Sequence, residues 1–482
     1  MVLDPACGSG GFLINVLREV ATQIRTQQQN LPQPRTEIVI GQFANNNLFG
    51  NDLSPRMIRA ARMNMIMHGD GWSGIQRCHG LKLEEHPFFE NKIGHFSLVL
   101  SNPPFAGFET DNSILQKFET GKNEAGRVRG VNRAIVFVEQ IIKVMRDGGR
   151  AGLVLPRSIF ENESYSFKKL RQLIYDHCEI LGVIGLPRTA FHHTDCGILG
   201  DLLFIEKKSN PRDDYEVFMA WADEVGYNTL GHNIEENDLP KILGLYQQRS
   251  KKNLIPIEKL RSEDNINPWY YHPRARQLRK RIAKQSDLVA LLPTLVSVYN
   301  NRISRSALRQ NPDQKVRYIE VRDFDLETGK FSFTEHTIKT LPSRATYEMN
   351  GEELILLPNA RNSLESRRKV IMTGDELRGF TLTNRFLPLR PKVNPEYLVM
   401  MLNTEFVRNQ LIEACRGAGS PDLRENKLAE IMIPVPNKED LSSIDSFMED
   451  IMDKIARRND LVEGLNNVNS DIENSLRSLY ER

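Results

Sequence analysis

The chain has 482 residues, too many for one hydrophobic core, so two or three domains are expected. Its 40% hydrophobic and 26% charged residues fit a soluble globular protein, and a net charge of only +2 excludes arguing for a nucleic-acid partner from totals. No apolar run reaches the ~18 residues that span a bilayer, which excludes a membrane-spanning helix, and Asp4 breaks the apolar opening, unlike a secretory signal. The five cysteines (Cys7, Cys78, Cys178, Cys196 and Cys415) are scattered without metal-type spacing and read as reduced thiols of a cytoplasmic protein.

From residue 1 to about 210, short apolar runs alternate with helical stretches. "MVLD" predicts a strand stub and "GGFLINVLREVATQI" an amphipathic helix. "NNNLFGND" predicts a second strand, and "SPRMIRAARMNMIMHG" a helix with Ser54 as N-cap and Pro55 in its first position. "HFSLVLSN" is another strand, followed by the helix "NRAIVFVEQIIKVMRDGG" and the strands of "RAGLVLP", "CEILGVIGLP" and "GDLLFIEKK". The alternation argues for a parallel α/β sheet. From about 211 to 264 the pattern blurs into a polar, helical-looking connection. From about 265 short strands ("VRYIEVRDF", "ELILLP", "RKVIMTG", "FTLTNRFLPLRP") separated by turn residues predict an α+β or mostly-β module. In the last segment Ile444, Met448, Ile451, Ile455, Arg458, Val462, Leu465, Asn469, Ile472, Leu476 and Leu479 alternate spacings of four and three. That is a heptad seam, with Arg458 and Asn469 as polar breaks, suited to pairing with a second helix; the alternative is a helix packed on its own domain.

"LDPACGSGGFL" ends a strand and opens a helix. Gly8, Gly10 and Gly11 permit a tight turn and close approach to a ligand, and the helix start offers free N–H groups. A phosphate-binding P-loop needs Gly-Lys-Ser/Thr, and no lysine is here. A serine nucleophile elbow needs glycine two before Ser9, where Cys7 stands; a dinucleotide fingerprint needs glycine where Leu13 stands. Asp4 at the strand end suits a ligand with a cationic or amine end. Asp52, ending the second strand, can accept both hydroxyls of a ribose. An amine-bearing ligand with a ribose suggests S-adenosylmethionine.

Together, "DPACGSGGFL", "GNDLSPRMIRAARMNMIMHG", "FSLVLSNPPF", "MRDGGRAGLVLP" and "LGVIGLPRTAFHHTDCGILGDLLFIEKK" make residues 1 to about 245 resemble the methylation subunit of type I restriction-modification systems, which are adenine-N6 DNA methyltransferases. The resemblance implies a Rossmann-like S-adenosylmethionine-dependent methyltransferase sheet. It implies cofactor contacts from Asp4, Pro5, Ala6, Gly8, Gly10, Asp52 and Leu53, and a catalytic turn made of Asn102, Pro103, Pro104 and Phe105. The chemistry accounts for those residue types. An exocyclic adenine amine is a poor nucleophile because its lone pair is delocalised into the ring. Acceptance of its two hydrogens by the Asn102 side-chain oxygen and the Pro103 carbonyl would pull the nitrogen toward tetrahedral geometry and turn its lone pair to the sulfonium methyl. Proline at 103 stiffens the turn, and Phe105 can stack on an extruded base. No cysteine lies in this motif, as cytosine-C5 chemistry would require.

Three departures from the family pattern stand out. The family carries an N-terminal helical domain and a further cofactor-contacting motif ahead of Asp4, so the resemblance implies a truncated or split gene product, or one completed by a partner. Leu81 stands where an acidic or amide residue usually touches the cofactor's adenine. "FETGKNEAGRVRG" is a polar loop, read as a mobile lid near DNA or, equally, as a disordered surface loop. Asp195, Glu206 and Lys208 superficially offer a nuclease pattern, but the resemblance makes them part of the last strands of the transferase sheet. His192 and His193, beside one Cys and one Asp, lack metal-site spacing, and no metal is expected.

In the second half, "INPWYYHPRARQLRKRIAKQ" clusters Arg274, Arg276, Arg279, Lys280, Arg281 and Lys284 beside Trp269, Tyr270 and Tyr271, a phosphate-binding edge for double-stranded DNA. Residues 266 to 482, notably "RGAGSPDLRENKLAEIMIPVP" followed by a long helix, resemble a target-recognition domain of type I specificity subunits with its spacer helix. One such domain reads one half-site, so a two-part site implies a homodimer, or union with methylase or restriction subunits, through the terminal helix. The expected organisation is a catalytic domain over 1–245, a linker over 246–265, a target-recognition domain over 266–438 and a coiled-coil-like helix over 439–482. The expected activity is site-specific adenine-N6 methylation; the competing expectation is a catalytically degenerate DNA-binding specificity protein.

Overall fold

The computed structural model describes residues 1–457 apart from 28–32, 70–71, 188, 192–198, 229–231, 304–312, 325–329, 359–369, 417–422, 424 and 456. The chain divides into two compact units, Met1–Arg276 and Gln277–Arg482.

The first unit is built on one sheet. In chain order its elements are β1 (Val2–Asp4), α1 (Gly11–Gln27), α2 (Gln33–Asn47), β2 (Leu48–Asp52), α3 (Pro55–Met67), β3 (Ile75–Arg77) and β4 (Phe96–Ser101). A small ribbon of β5 (Phe108–Glu109) and β6 (Val131–Asn132) with a turn of helix α4 (Asn112–Leu115) comes next. Then follow α5 (Arg133–Val144), β7 (Met145–Pro156), α6 (Ser158–Glu161), α7 (Tyr165–His177), β8 (Cys178–Gly185), β9 (Gly200–Lys207) and β10 (Glu216–Trp221). A ribbon of β11 (Val225–Tyr227) and β12 (Asn233–Asn237), then α8 (Leu239–Gln247), β13 (Leu254–Pro256) and α9 (Ile257–Ser262) complete the set.

The sheet has nine strands in the order β13-β10-β8-β9-β7-β4-β1-β2-β3. β3, β2, β1, β4 and β7 are parallel, β9 runs antiparallel between β7 and β8, and β13 is an antiparallel edge. The sheet is therefore mixed where a parallel one is predicted. The chain crosses from β7 through α6 and α7 to the parallel β8, and β9 then returns antiparallel into the place between them.

Alternate residues face opposite layers. Val2 and Leu48 pack with Leu13, Leu17, Ile58 and Met65 of α1 and α3, while Leu3 and Phe49 join the core of α5 and α7. The Ser54 cap is as predicted: its Oγ accepts the Met57 N–H at 3.4 Å and Pro55 opens α3. The chain leaves β1 toward β2 and β3, then returns to place β4 on the other side of β1. The direction of winding reverses there, and in open α/β sheets ligands bind at the carboxyl ends of such strands.

Residues 246–265, read from the sequence as a linker, are built into this unit. β13 pairs with β10 from Leu254 to Pro256, and Ile255, Ile257 and Leu260 lie in the main core. β10 reads poorly as a strand from sequence because it is buried on both faces from Val217 to Ala220, so it shows no polar alternation. Beyond α9 the segment is held by the fully buried Arg171, whose guanidinium donates to Asp264 at 2.7 and 2.8 Å and to the Ile159 and Asn162 carbonyls. Trp269 fills the space above Gly185, where a Cβ would come within 2.6 Å of its ring. Its indole shares Asp201 with Arg157, and the Arg157–Asp201 pair is buried and bidentate at 2.8 Å.

The second unit contains two four-stranded sheets and a strand pair. One sheet is antiparallel, with Val296–Val298, Phe386–Pro391, Leu354–Pro358 and Ile371–Thr373 in that order. In the other, Lys315–Ile319 pairs parallel with Phe380–Thr383 and antiparallel with Thr334–Thr337. The helices Pro395–Leu402 and Glu405–Arg416 supply Leu398, Leu402, Val407 and Leu411 to its core. Residues 443–455 are helical. Ile444 and Met448 of the predicted seam are buried in this unit's own core, whereas Met452 and Ile455 are exposed. The seam positions from Arg458 onward, and residues 417–422 and 424 of the "RGAGSPDLRE" stretch, lie outside the described residues.

Candidate active site

β1 delivers Asp4 to the carboxyl edge of the sheet, and the chain enters α1 through a turn closed by Gly10 N–H to Cys7 O at 2.7 Å. Gly8 and Gly10 adopt φ of +53° and +86°, which a side chain would strain. Gly11 has no such constraint and opens the helix. β2 delivers Asp52, whose Oδ2 accepts the Gly8 N–H at 3.1 Å and whose Oδ1 accepts the Ser54 N–H at 2.8 Å. Each oxygen keeps a lone pair for a further donor. Leu53 beside it is exposed, Pro5 is buried and Ala6 half-buried.

Asn51, fully buried, donates to the Pro5 carbonyl at 3.0 Å, and its own backbone carbonyl accepts the Cys7 N–H. Its Oδ1 has no partner among the described residues. Asp4 is also buried. Its Oδ1 accepts the Ala6 N–H at 3.1 Å and the Ser101 hydroxyl at 2.9 Å. Burial pushes its carboxyl up to about 7, against the pull of those two hydrogen bonds and with a smaller push from nearby Asp52.

Ser101 ends β4, so the Asp4–Ser101 bond ties the glycine turn directly to the start of the Asn-Pro-Pro-Phe turn. In that turn Asn102 and Pro104 are exposed, Pro103 is buried and Phe105 is half-buried. Among the described residues the Asn102 carboxamide and the Pro103 carbonyl make no hydrogen bond, so both oxygens remain available. Phe105 meets Phe191 edge-on with centroids 5.9 Å apart, in space that Gly200 leaves open.

Other expected residues fall elsewhere. Leu81 is fully buried in the core. Trp269 and Tyr271 are buried in the first unit rather than offered as a stacking surface: the single Tyr271 hydroxyl hydrogen is shared between Glu263 at 2.7 Å and the Asn265 carbonyl at 2.9 Å. Arg274 and Lys280 are exposed and Arg276 and Arg279 half-buried on the helix Pro273–Ile282, where the division between the units falls. Glu206 pairs with Arg150 and Lys208. His192, His193, Asp195 and Cys196 lie outside the described residues.

The polar segment read as a mobile lid is tied down. The buried Glu139 carboxylate accepts the Glu119 and Thr120 N–H groups and the Thr120 hydroxyl, and a Lys122–Val128 bridge closes a hairpin.

The family model for N-6 DNA methylases matches residues 1–271, more than half of the chain. The chain belongs to the N-6 DNA methylase family. The chain is 25% identical over 267 residues to the type I restriction enzyme EcoKI methylase subunit of Escherichia coli K12, covering 55% of this chain and 45% of that protein. It is 25% identical over 194 residues to the type II restriction enzyme and methyltransferase RM.BcgI of Heyndrickxia coagulans, covering 40% of this chain and 25% of that one. A type I restriction-modification methyltransferase subunit from Streptococcus thermophilus aligns at 23% identity with a TM-score of 0.41, over 55% of this chain and 53% of that one. The chain thus spans under half the length of the curated relatives it matches.

Membership implies S-adenosylmethionine as methyl donor, and the residues of this chain fit it. Among the described residues, a buried carboxylate without a cation, an Asn51 oxygen without a partner and an uncrowded Gly8 belong to the turn and its support. Two supporting residues escaped the sequence analysis: Ser101, which bridges the turns, and Asn51, which pins Pro5. Gly80 is a third, because a Cβ there would lie 2.5 Å from the Pro5 carbonyl and 2.8 Å from the Phe137 ring. Gly80→Ala is expected to cost about 1–3 kcal/mol of stability by pushing on the glycine turn, and to weaken cofactor binding. Denaturant unfolding and calorimetry check the two effects.

Proposed function

We propose that this methylase is a site-specific DNA adenine-N6 methyltransferase of a restriction-modification system. Asp4, Pro5, Ala6, Gly8 and Gly10, with Asp52 and Leu53, would hold S-adenosylmethionine. Asp4 answers its positive charge, Asp52 accepts from the ribose hydroxyls and exposed Leu53 lies under the adenine. When bound, the cofactor supplies an electrophilic methyl on a sulfonium. Asn102 Oδ1 and the Pro103 carbonyl accept the two hydrogens of the substrate amine, Pro104 stiffens the turn and Phe105 stacks on the extruded base. The observation that supports this reading is the Asp4–Ser101 hydrogen bond, which joins the glycine turn to the start of the Asn-Pro-Pro-Phe turn where the sheet reverses its winding.

The second unit then serves as the target-recognition module. The helix Pro273–Ile282, on which the division between the units falls, holds phosphates of double-stranded DNA through Arg274, Arg276, Arg279 and Lys280, and the terminal helix pairs with a second copy or with methylase or restriction subunits. Titration calorimetry with S-adenosylmethionine tests the core of the proposal. Saturable binding to one site is expected. Its absence, even with duplex DNA present, would favour a DNA-binding specificity protein without turnover.

A further inference from the structure

Three residues past Phe105, the ring of Phe108 stands 63% exposed. It is not a loose side chain on a loose loop. β5 pairs with β6 through Phe108–Asn132 and Glu109–Val131, and the Arg133 N–H donates to the Gly107 carbonyl at 3.2 Å. The next residue, Glu109, turns inward and is buried. Its carboxylate accepts the Thr110 and Asp111 N–H groups at 2.9 and 3.0 Å, with Arg133 and His79 at 3.8 and 3.9 Å. Asn132 caps α5 through the Ala134 N–H. The residues before Phe108 are Ala106 and Gly107, both exposed and small, so the ring projects past its neighbours.

The excursion between β5 and β6 carries Asp111, Glu119 and Glu124 against Lys117, Lys122, Arg127 and Arg129. Lys82 meets Asp111 and Lys169 meets Glu119, which leaves the hairpin with one exposed acid, Glu124, among three bases. Lys122, Arg127 and Arg129 lie on the hairpin anchored by Glu139, the two arginines exposed, and none makes an ion pair among the described residues. The other lysine of the excursion, Lys117, is occupied by Glu84 and Glu85.

A rigid stem, an outward aromatic and a basic flank beside the amine-binding turn match a problem that the methylation reaction poses. Extruding an adenine leaves a gap in the base stack and an unpaired partner, which favours the base falling back. An apolar side chain inserted between bases fills such a gap, and cations on the flanking phosphates hold the strand open. We propose that the β5–β6 ribbon opens the duplex: Phe108 enters the space vacated by the extruded adenine, and Lys122, Arg127 and Arg129 grip the adjacent backbone. This rests on the adenine-methylase reading. Phe105 stacks on the base that has left, and Phe108 on the bases that stay.

The test first maps the methylated site by sequencing DNA modified by the wild-type chain. A duplex of that site with 2-aminopurine at the target then reports extrusion by its fluorescence rise. Phe108→Ala is expected to lose most of that rise and to methylate the fully paired duplex about tenfold more slowly or worse. It should recover to within about twofold of wild type when the target adenine faces an abasic position, because the gap no longer has to be opened against a partner. Phe108→Trp should keep activity on both duplexes. The combined Lys122→Ala, Arg127→Ala, Arg129→Ala variant should flatten the dependence of log affinity on log salt by about 2–3, near 0.9 per lost phosphate contact. Equal losses on the paired and abasic duplexes, or no loss on either, would overturn the role of Phe108. An unchanged salt slope would overturn the grip. A wild-type chain that methylates neither duplex would sink the methylase reading itself, and this inference with it.

Discussion

Asn102→Ala is expected to lower methyl transfer to duplex DNA by about 10²–10³-fold while leaving S-adenosylmethionine binding within about twofold of wild type. The side chain is exposed at the end of β4 and makes no hydrogen bond among the described residues, so its removal breaks no packing. What it removes is an acceptor needed only as the amine nitrogen leaves its planar geometry, and such interactions appear in the rate of the chemical step rather than in ground-state binding. Asn102→Asp is a sharper probe. It retains the acceptor and adds charge, so it should lie between wild type and Ala. Single-turnover transfer of a tritiated methyl group, run beside calorimetric binding of the cofactor, separates the two effects. Equal incorporation by wild type and Asn102→Ala would remove the amine-binding role from this turn.

The parts of this site that were legible in the sequence are those written locally. Gly8 and Gly10 announce positive φ, Ser54 and Pro55 announce a helix start, and an apolar run ending in Ser-Asn-Pro-Pro announces a strand that stops abruptly. Contacts between distant residues were not legible. Nothing around Ser101 says that its hydroxyl will meet Asp4, and nothing around Glu139 says that it will hold Glu119 and Thr120 from α5. The aromatic triplet at 269–271 shows the cost of reading composition alone. Beside arginines it looks like a nucleic-acid surface, yet Trp269 and Tyr271 are buried, because Gly185 leaves a ring-sized space and Glu263 and Asn265 satisfy the Tyr271 hydroxyl. The strand β10 and the helix α9 were lost for the opposite reason: burial on both faces and short length erase the periodicity by which such elements are recognised.

Asp4→Asn is expected to stabilise the protein at pH 8 and to change little at pH 4. The folded chain holds the Asp4 carboxyl at about 7, mainly through burial, whereas the unfolded chain releases its proton near 4. Between those values the native state binds the extra proton, so stability falls as pH rises through the window, and above about pH 7 the whole difference is lost. Three pH units correspond to roughly 4 kcal/mol. An asparagine has no charge to desolvate, and its oxygen can still accept from the Ala6 N–H and the Ser101 hydroxyl, so the two turns stay joined. Urea unfolding of both proteins from pH 4 to pH 8 should give curves that meet at the acid end and diverge above it; parallel curves would show that Asp4 is not strained by its burial. The same substitution should weaken S-adenosylmethionine binding, most strongly above pH 7, where wild-type Asp4 is ionised and can answer a cation. A carboxylate kept buried at a standing cost in stability is best explained by a positive ligand that relieves it. The fold and the chemistry then meet at one atom, the Asp4 Oδ1 that Ser101 holds in place.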